Sequence, residues 1–401
     1  MNNACFLYDF DISLYKNYIC YMKRGKKMSN ILDYIKWRGD ITLGESCFNE
    51  IDNLILSRFS YFPFDDLIKE NEMLTIKELS NRFKKHDIKK MRILWKEDVD
   101  LFPLMGDSKR YGEMYASDFV NIIDKKLEKQ FAAITIIMPN DTIYVSFRGT
   151  DATIVGWKED FNMSFKSHIE SQISAKEYLN KISAKYSNKN IIVGGHSKGG
   201  NEAIYASAYS NKEVKDRILN VYNNDGPGFC KDVIESEEYK NILNKVHTYI
   251  PQSSIIGRLM NHEEKITILE STQKGIMQHD LYSWQVLGTE FVKSNELTNS
   301  SEFIDQTLTK WLEEIEPKKR EQVIDVIFEI LYTTDADTFK DIKMNWFENT
   351  KIMMKCYKNL DIETKNMVTQ TVTSLIKITK NNMFEKLPKI SDKLDKSKRN
   401  I

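Results

Sequence analysis

Residues 190–205 read Asn-Ile-Ile-Val-Gly-Gly-His-Ser-Lys-Gly-Gly-Asn-Glu-Ala-Ile-Tyr, and this stretch restricts the fold more than any other. The β-branched run Ile191, Ile192, Val193 suits a strand and stops at Gly194 and Gly195. Beyond Ser197, the residues Glu202, Ala203, Ala206 and Ala208 favour a helix. Strand, tight glycine turn, serine, helix is the layout of a nucleophile elbow, and residues 195–199 carry its Gly-x-Ser-x-Gly pattern. Glycine at 195 and 199 would let strand and helix backbones approach closely enough to lift Ser197 above a sheet. A helix starting there also brings amides and positive partial charge beside the serine, where a developing oxyanion needs them. The pentapeptide alone is a weak signal, because a glycine turn can hold an incidental serine. Its neighbours and the rest of the chain have to decide.

Around the elbow the texture is α/β. Residues 131–138 and 142–147 are apolar runs separated by Pro139-Asn140-Asp141, which predicts a β-hairpin. The second run ends in Arg148-Gly149-Thr150-Asp151, and a loop with Trp157, Asp160 and Phe161 follows. Ala175, Tyr178, Leu179, Ile182 and Tyr186 fall on one helical face. Further strands are expected at 218–222, 246–250 and, as the last one, 266–270, with a helix around 232–243. Residues 74–90 read as a charged helix. Strands alternating with helices imply an α/β-hydrolase-like, mostly parallel sheet flanked by helices. The hairpin adds some antiparallel content.

From about residue 300 the strand signal stops and apolar residues recur at helical spacing, as in Leu308, Trp311, Leu312, Ile315 and in Val323, Val326, Ile327, Ile330, Leu331. The expected division is an N-terminal extension over 1–27, which Met28 makes a candidate non-native start, an α/β-hydrolase domain over 28–295, and a helical C-terminal region over 296–401. Lys+Arg and Asp+Glu both number 58, so no dominant basic field supports nucleic-acid binding. Five scattered cysteines show no CxxC spacing, so neither a disulfide framework nor a zinc site is suggested, and no cofactor or metal is expected. No apolar run reaches the length of a membrane span and no signal peptide is evident, which makes the cytoplasm the default location.

A serine nucleophile needs a base, a group to orient that base, and donors for the oxyanion. Of the six histidines, His86 and His168 precede Ser197, His196 adjoins it, His247 lies within a strand and His262 lies between two strands. His279 follows the expected final strand, where the base of a Ser, acid, His chain order belongs. The acid is harder to place. Asp225 stands at the tip of the strand after the elbow, within Asn-Asn-Asp-Gly-Pro-Gly, a sequence that also makes turns for purely backbone reasons. Glu263 is the weaker alternative, and Gln252 or Ser253 could meet the histidine in an acid-less arrangement. The Lys198 amide is one oxyanion donor by position, and Thr150, through amide and hydroxyl, is the other. Arg148 and Asp160 read as a structural ion pair.

Four segments together, Val-Ser-Phe-Arg-Gly-Thr-Asp over 145–151, Gly-Trp-Lys-Glu-Asp over 156–160, Gly-Gly-His-Ser-Lys-Gly-Gly-Asn over 194–201 and His-Asp-Leu-Tyr-Ser-Trp over 279–284, resemble the class 3, fungal triglyceride lipase-like α/β-hydrolases. The chain is most similar to their Mbeg-like bacterial group, through the segments 223–229 and 249–257 as well. The resemblance spans roughly residues 28–290. It implies an oxyanion donor at Thr150 and a base at His279. It also implies an acid after the penultimate strand, as Asp-x-Val-Pro, where this chain has Gln252, Ser253 and Ser254; that departure raises Asp225. The expected function is a serine hydrolase of the esterase or lipase type acting on a small-molecule or lipid ester. The rival is a catalytically weak or inactive pseudo-hydrolase that serves as a binding or scaffold module.

Overall fold

In the computed structural model, residues 29–298, 306–307, 310, 315–334, 336–371 and 373 are described. The expected extension over 1–27, and Leu308, Trp311 and Leu312, lie outside them. An eight-stranded sheet runs in strict chain order: β1 (Leu74–Thr75), β2 (Tyr115–Asp124), β3 (Lys129–Ile137), β4 (Thr142–Arg148), β5 (Asn190–His196), β6 (Ile218–Asn224), β7 (Val246–Pro251) and β8 (Ile266–Leu269). Strands β1 to β4 pair antiparallel, and β4 to β8 pair parallel. This is an α/β-hydrolase-like sheet with the hairpin β3–β4 at the expected place.

Helices cover both faces. On one side lie α1 (Ile31–Arg38), α2 (Glu50–Phe59), α3 (Ile76–Lys85) and α4 (Asp98–Asp107). Their apolar residues join Tyr144, Ile192 and Tyr222 of the sheet in one core. After β4 come α5 (Ile154–Asn162), α6 (Glu170–Lys185) and α7 (Lys198–Tyr209). On the second face, Ala175, Leu179 and Ile182 of α6 and Ala203 and Ile204 of α7 pack on Val145, Ile191, Val193 and Val221. The fully buried α2 carries polar contacts into the sheet. Asn53 donates to Asn224 at 2.9 Å, and Ser57 shares a hydrogen bond with Tyr144 at 2.7 Å. A parallel sheet buried on both faces needs this satisfaction, because an unpaired buried polar group is costly.

Four expectations change. The loop expected to hold Trp157, Asp160 and Phe161 is helix α5, which the Thr153 hydroxyl caps. Residues 74–90 are not one helix: Leu74 and Thr75 form the edge strand β1, and Thr75 caps α3 with its hydroxyl. The helix expected at 232–243 is broken into Lys231–Ile234 and Glu237–Lys240, because Ser236 caps a new start. Strand β8 is not the last, since Val286–Leu287 and Glu290–Phe291 add a two-stranded hairpin. Helices resume at α8 (Pro317–Tyr332), α9 (Phe339–Met344) and α10 (Trp346–Asn359). Among the described residues no helix is long and apolar enough to cross a membrane.

Candidate active site

The elbow is built as its glycines require. Ser197 holds φ 58° and ψ −134°, a left-handed backbone that a side chain rarely tolerates. A Cβ at Gly195 would lie 2.2 Å from the Gly199 carbonyl oxygen, and one at Gly199 would lie 2.3 Å from that of Phe147. Neither position admits a larger residue. The Ser197 amide donates to the Asn224 carbonyl at 3.0 Å, so the serine is tied to the residue before Asp225.

Asp225 and His279 meet: the His279 Nδ1 to Asp225 Oδ2 distance is 2.7 Å. Asp225 is fully buried and itself has φ 54°. Its other oxygen, Oδ1, accepts from the Ser254 hydroxyl at 2.5 Å and the Gly257 amide at 3.2 Å. The loop that lacks a carboxylate of its own therefore supplies two donors to the carboxylate of the neighbouring strand. Ser253 is engaged instead with Gln278 and Thr298, the Gln252 amide donates to the Leu269 carbonyl, and Glu263 is exposed to solvent. Sequence reasoning missed Ser254 and Gly257, although the departure at 252–254 marked the segment that contains the first of them.

His196 is buried, but it is not idle. It is buried beneath His279, with ring centroids 4.3 Å apart. Its Nε2 donates to the His279 carbonyl at 2.9 Å, which leaves Nδ1 to accept from the Tyr61 hydroxyl at 3.1 Å. Burial, reinforced by the nearby His279 and Arg58, holds its pKa well below the usual imidazole range. A neutral His196 thus fixes the backbone of His279. Tyr61 also accepts from the Gly149 amide at 3.0 Å, so one phenol spans the elbow and the loop after β4.

Among the described residues Ser197 Oγ makes no hydrogen bond, to His279 or to any other group. Ser197 and His279 are both half-buried.

The oxyanion side is divided differently from the expectation. The Thr150 hydroxyl donates to Asp160 Oδ1 at 2.6 Å, which leaves the amide as Thr150's free donor. Among the described residues the amides of Thr150 and Lys198 have no acceptor. The Lys198 side chain runs inward, where its ammonium donates to Glu159 Oε2 at 2.6 Å and to the Gln130 carbonyl at 2.8 Å. Burial pulls the Lys198 pKa down, but Glu159, Asp160 and Glu202 together outweigh it and the net shift is upward. Burial pushes the Asp160 carboxyl up to about 6, against the opposing pull of Lys198 and the Thr150 hydrogen bond. The expected Arg148–Asp160 pair does not form. Arg148 turns to Asn121 at 2.8 Å and lies 3.6 Å from Asp151, while Asp160, in the second turn of α5, accepts from the Thr150 hydroxyl. Among the described residues no group of three or more His, Cys, Asp or Glu could hold a metal ion.

The family model for Mbeg1-like proteins matches residues 105–329, more than half of the chain. The chain belongs to the Mbeg1-like family. Among solved structures, this Mbeg1-like chain is similar to the lipase of Rhizomucor miehei in its propeptide complex, with 13% identity, a TM-score of 0.33, and coverage of 45% of this chain and 71% of that one. It is also similar to a mono- and diacylglycerol lipase from Aspergillus oryzae, with 14% identity, a TM-score of 0.39, and coverage of 67% and 87%. Lipase II from Rhizopus niveus matches at 15% identity and a TM-score of 0.33 over 50% of this chain and 78% of that one. A comparison with curated proteins found no match.

Proposed function

We propose that this chain is a serine hydrolase that cleaves a carboxylic ester or related acyl substrate, with Ser197 as nucleophile, His279 as base and Asp225 as the orienting acid. The observation that carries the reading is the 2.7 Å contact between His279 Nδ1 and the buried Asp225 carboxylate, whose preceding residue Asn224 accepts from the Ser197 amide. Held by Nδ1, the imidazole presents Nε2 as a lone-pair base. It takes the Ser197 proton as Oγ attacks the acyl carbon. The amides of Thr150 and Lys198, free of other acceptors, hold the oxyanion at the start of α7, where the helix dipole adds to them. His279 then returns the proton to the leaving alcohol. Water, activated by the same imidazole, releases the acyl group.

The test is covalent labelling of the full chain with a fluorophosphonate probe, beside turnover of short-chain p-nitrophenyl esters. Labelling and turnover that both vanish in Ser197→Ala are expected. An intact chain that neither labels nor turns over would sink the reading. A second reading, a pseudo-hydrolase that keeps the fold as a binding module, is favoured by one observation: Ser197 Oγ has no hydrogen bond to His279. Ser197-dependent turnover eliminates it.

A further inference from the structure

Helix α5 has two working faces. One serves the site: Glu159 receives Lys198, the residue after the elbow serine, and Asp160 receives the Thr150 hydroxyl. The other is covered by the C-terminal helices. Ile154 packs with Ile324 and Phe328 of α8. The rings of Phe161 and Phe328 lie 5.9 Å apart. One turn from Ile154, the Lys158 side chain is 2% exposed and pairs with Asp325 of α8. Its next nearest carboxylate, Glu128, stands at 3.7 Å. The backbone takes part as well. The Ile154 amide donates to the Asp337 carbonyl at 2.9 Å, and Thr153 bridges Thr338 as an antiparallel pair. These last contacts fall on the N-cap of α5, three residues after Thr150.

Burying an ammonium group is costly unless a carboxylate accompanies it. The one that does so at hydrogen-bond distance comes from α8. An oxyanion donor must sit within a narrow range of the developing charge, and a misplacement of about 1 Å costs about 100-fold in rate. We infer that the C-terminal helices position the oxyanion loop, with Lys158 and Asp325 as the positioning pair through which α8 holds α5 and, with it, the loop that leads into its N-cap. The catalytic part of this inference rests on the ester-hydrolase reading; the structural coupling does not.

The experiment uses the full chain carrying Asp325→Asn or Asp325→Glu, with Arg320→Ala as a second break in the α8 interface, since Arg320 donates to the Ser164 carbonyl just past α5. The Asp325 side chain is 45% exposed, so the changes at that position are compatible with folding. Two quantities are read: ester turnover, and amide hydrogen exchange over residues 149–162. Asp325→Asn and Arg320→Ala are expected to lower kcat by about 10-fold or more with KM within about twofold, and to speed exchange over 149–162 while β5 and β6 stay protected. Asp325→Glu should restore both. If exchange rises in α8 but stays unchanged over 149–162, the helices detach without disturbing the oxyanion loop and the inference is wrong. If wild type neither labels at Ser197 nor cleaves esters, the hydrolase reading fails, and the exchange result alone decides the positioning role.

Discussion

Asp225→Asn is the sharpest perturbation of the site. The carboxylate accepts on both oxygens: His279 on Oδ2, and Ser254 with Gly257 on Oδ1. An amide has one acceptor oxygen. Directed at Ser254 and Gly257, that oxygen satisfies two buried donors and turns the amide NH2 toward His279 Nδ1, which must then give up its proton to Nε2. The base has no lone pair left for Ser197. The opposite orientation leaves two buried donors facing an NH2 group, so the first is favoured. Asparagine also accepts the left-handed backbone at 225, φ 54°, so the fold survives. The same exchange of tautomer in a Ser-His-Asp site lowers kcat by about 10⁴, equivalent to about 5.4 kcal/mol. Ester kcat and the rate of fluorophosphonate labelling at Ser197 should fall together, with thermal stability close to wild type. An Asn variant within about tenfold of wild type would show that Asp225 does not orient the base.

Four further outcomes follow from the same geometry. Ser254→Ala removes one donor from a charged acceptor and should cost about 1.5–3 kcal/mol, read as a partial loss of kcat together with a lower Tm. Ser197→Gly should be more stable than Ser197→Ala by about 1 kcal/mol, because glycine relieves the φ of 58°; equal denaturation midpoints would refute the strain. Gly195→Ala, whose Cβ would lie 2.2 Å from a backbone oxygen, should fail to give a cooperative thermal transition. Asp160, raised to about 6 from its ordinary 3.8, binds its proton more tightly folded than unfolded. Relative to Asp160→Asn, wild type should therefore gain stability as pH falls through about 6 toward 4, by on the order of 1 kcal/mol. A pH-independent difference in denaturant midpoint would count against it.

Much of this was legible locally. The elbow, the hairpin and the position of His279 all lie in short segments whose composition matches their conformation. Strand β2 was not read, because it is only half covered and its alternation is interrupted by a bulge between Ser117 and Val120, with Asp118 at φ 57°. What stayed hidden was chiefly long-range. Tyr61 reaches His196 across 135 residues, and α8 meets α5 across more than 150. Lys198, Glu159 and Glu202 look like solvated helix charges in sequence, yet all three are buried. Burial raises the pKa of the Glu202 carboxyl well above the carboxylate range. The Arg148 error came in part from the same cause, since its hydrogen-bond partner Asn121 lies on β2 and is brought near only when β2 lies beside β3.

The sheet order has a consequence for how such a chain assembles. Each strand from β2 to β8 lies between or beside its sequence neighbours, so no later strand has to insert into a finished sheet. As the polypeptide emerges from a ribosome, β4, β5 and β6 can be laid down with Ser197 and Asp225 already at their edge. The imidazole arrives last, 54 residues after the carboxylate. A nascent chain halted before residue 279 would present a shaped but baseless elbow, and the nucleophile would come into being with the docking of one short turn.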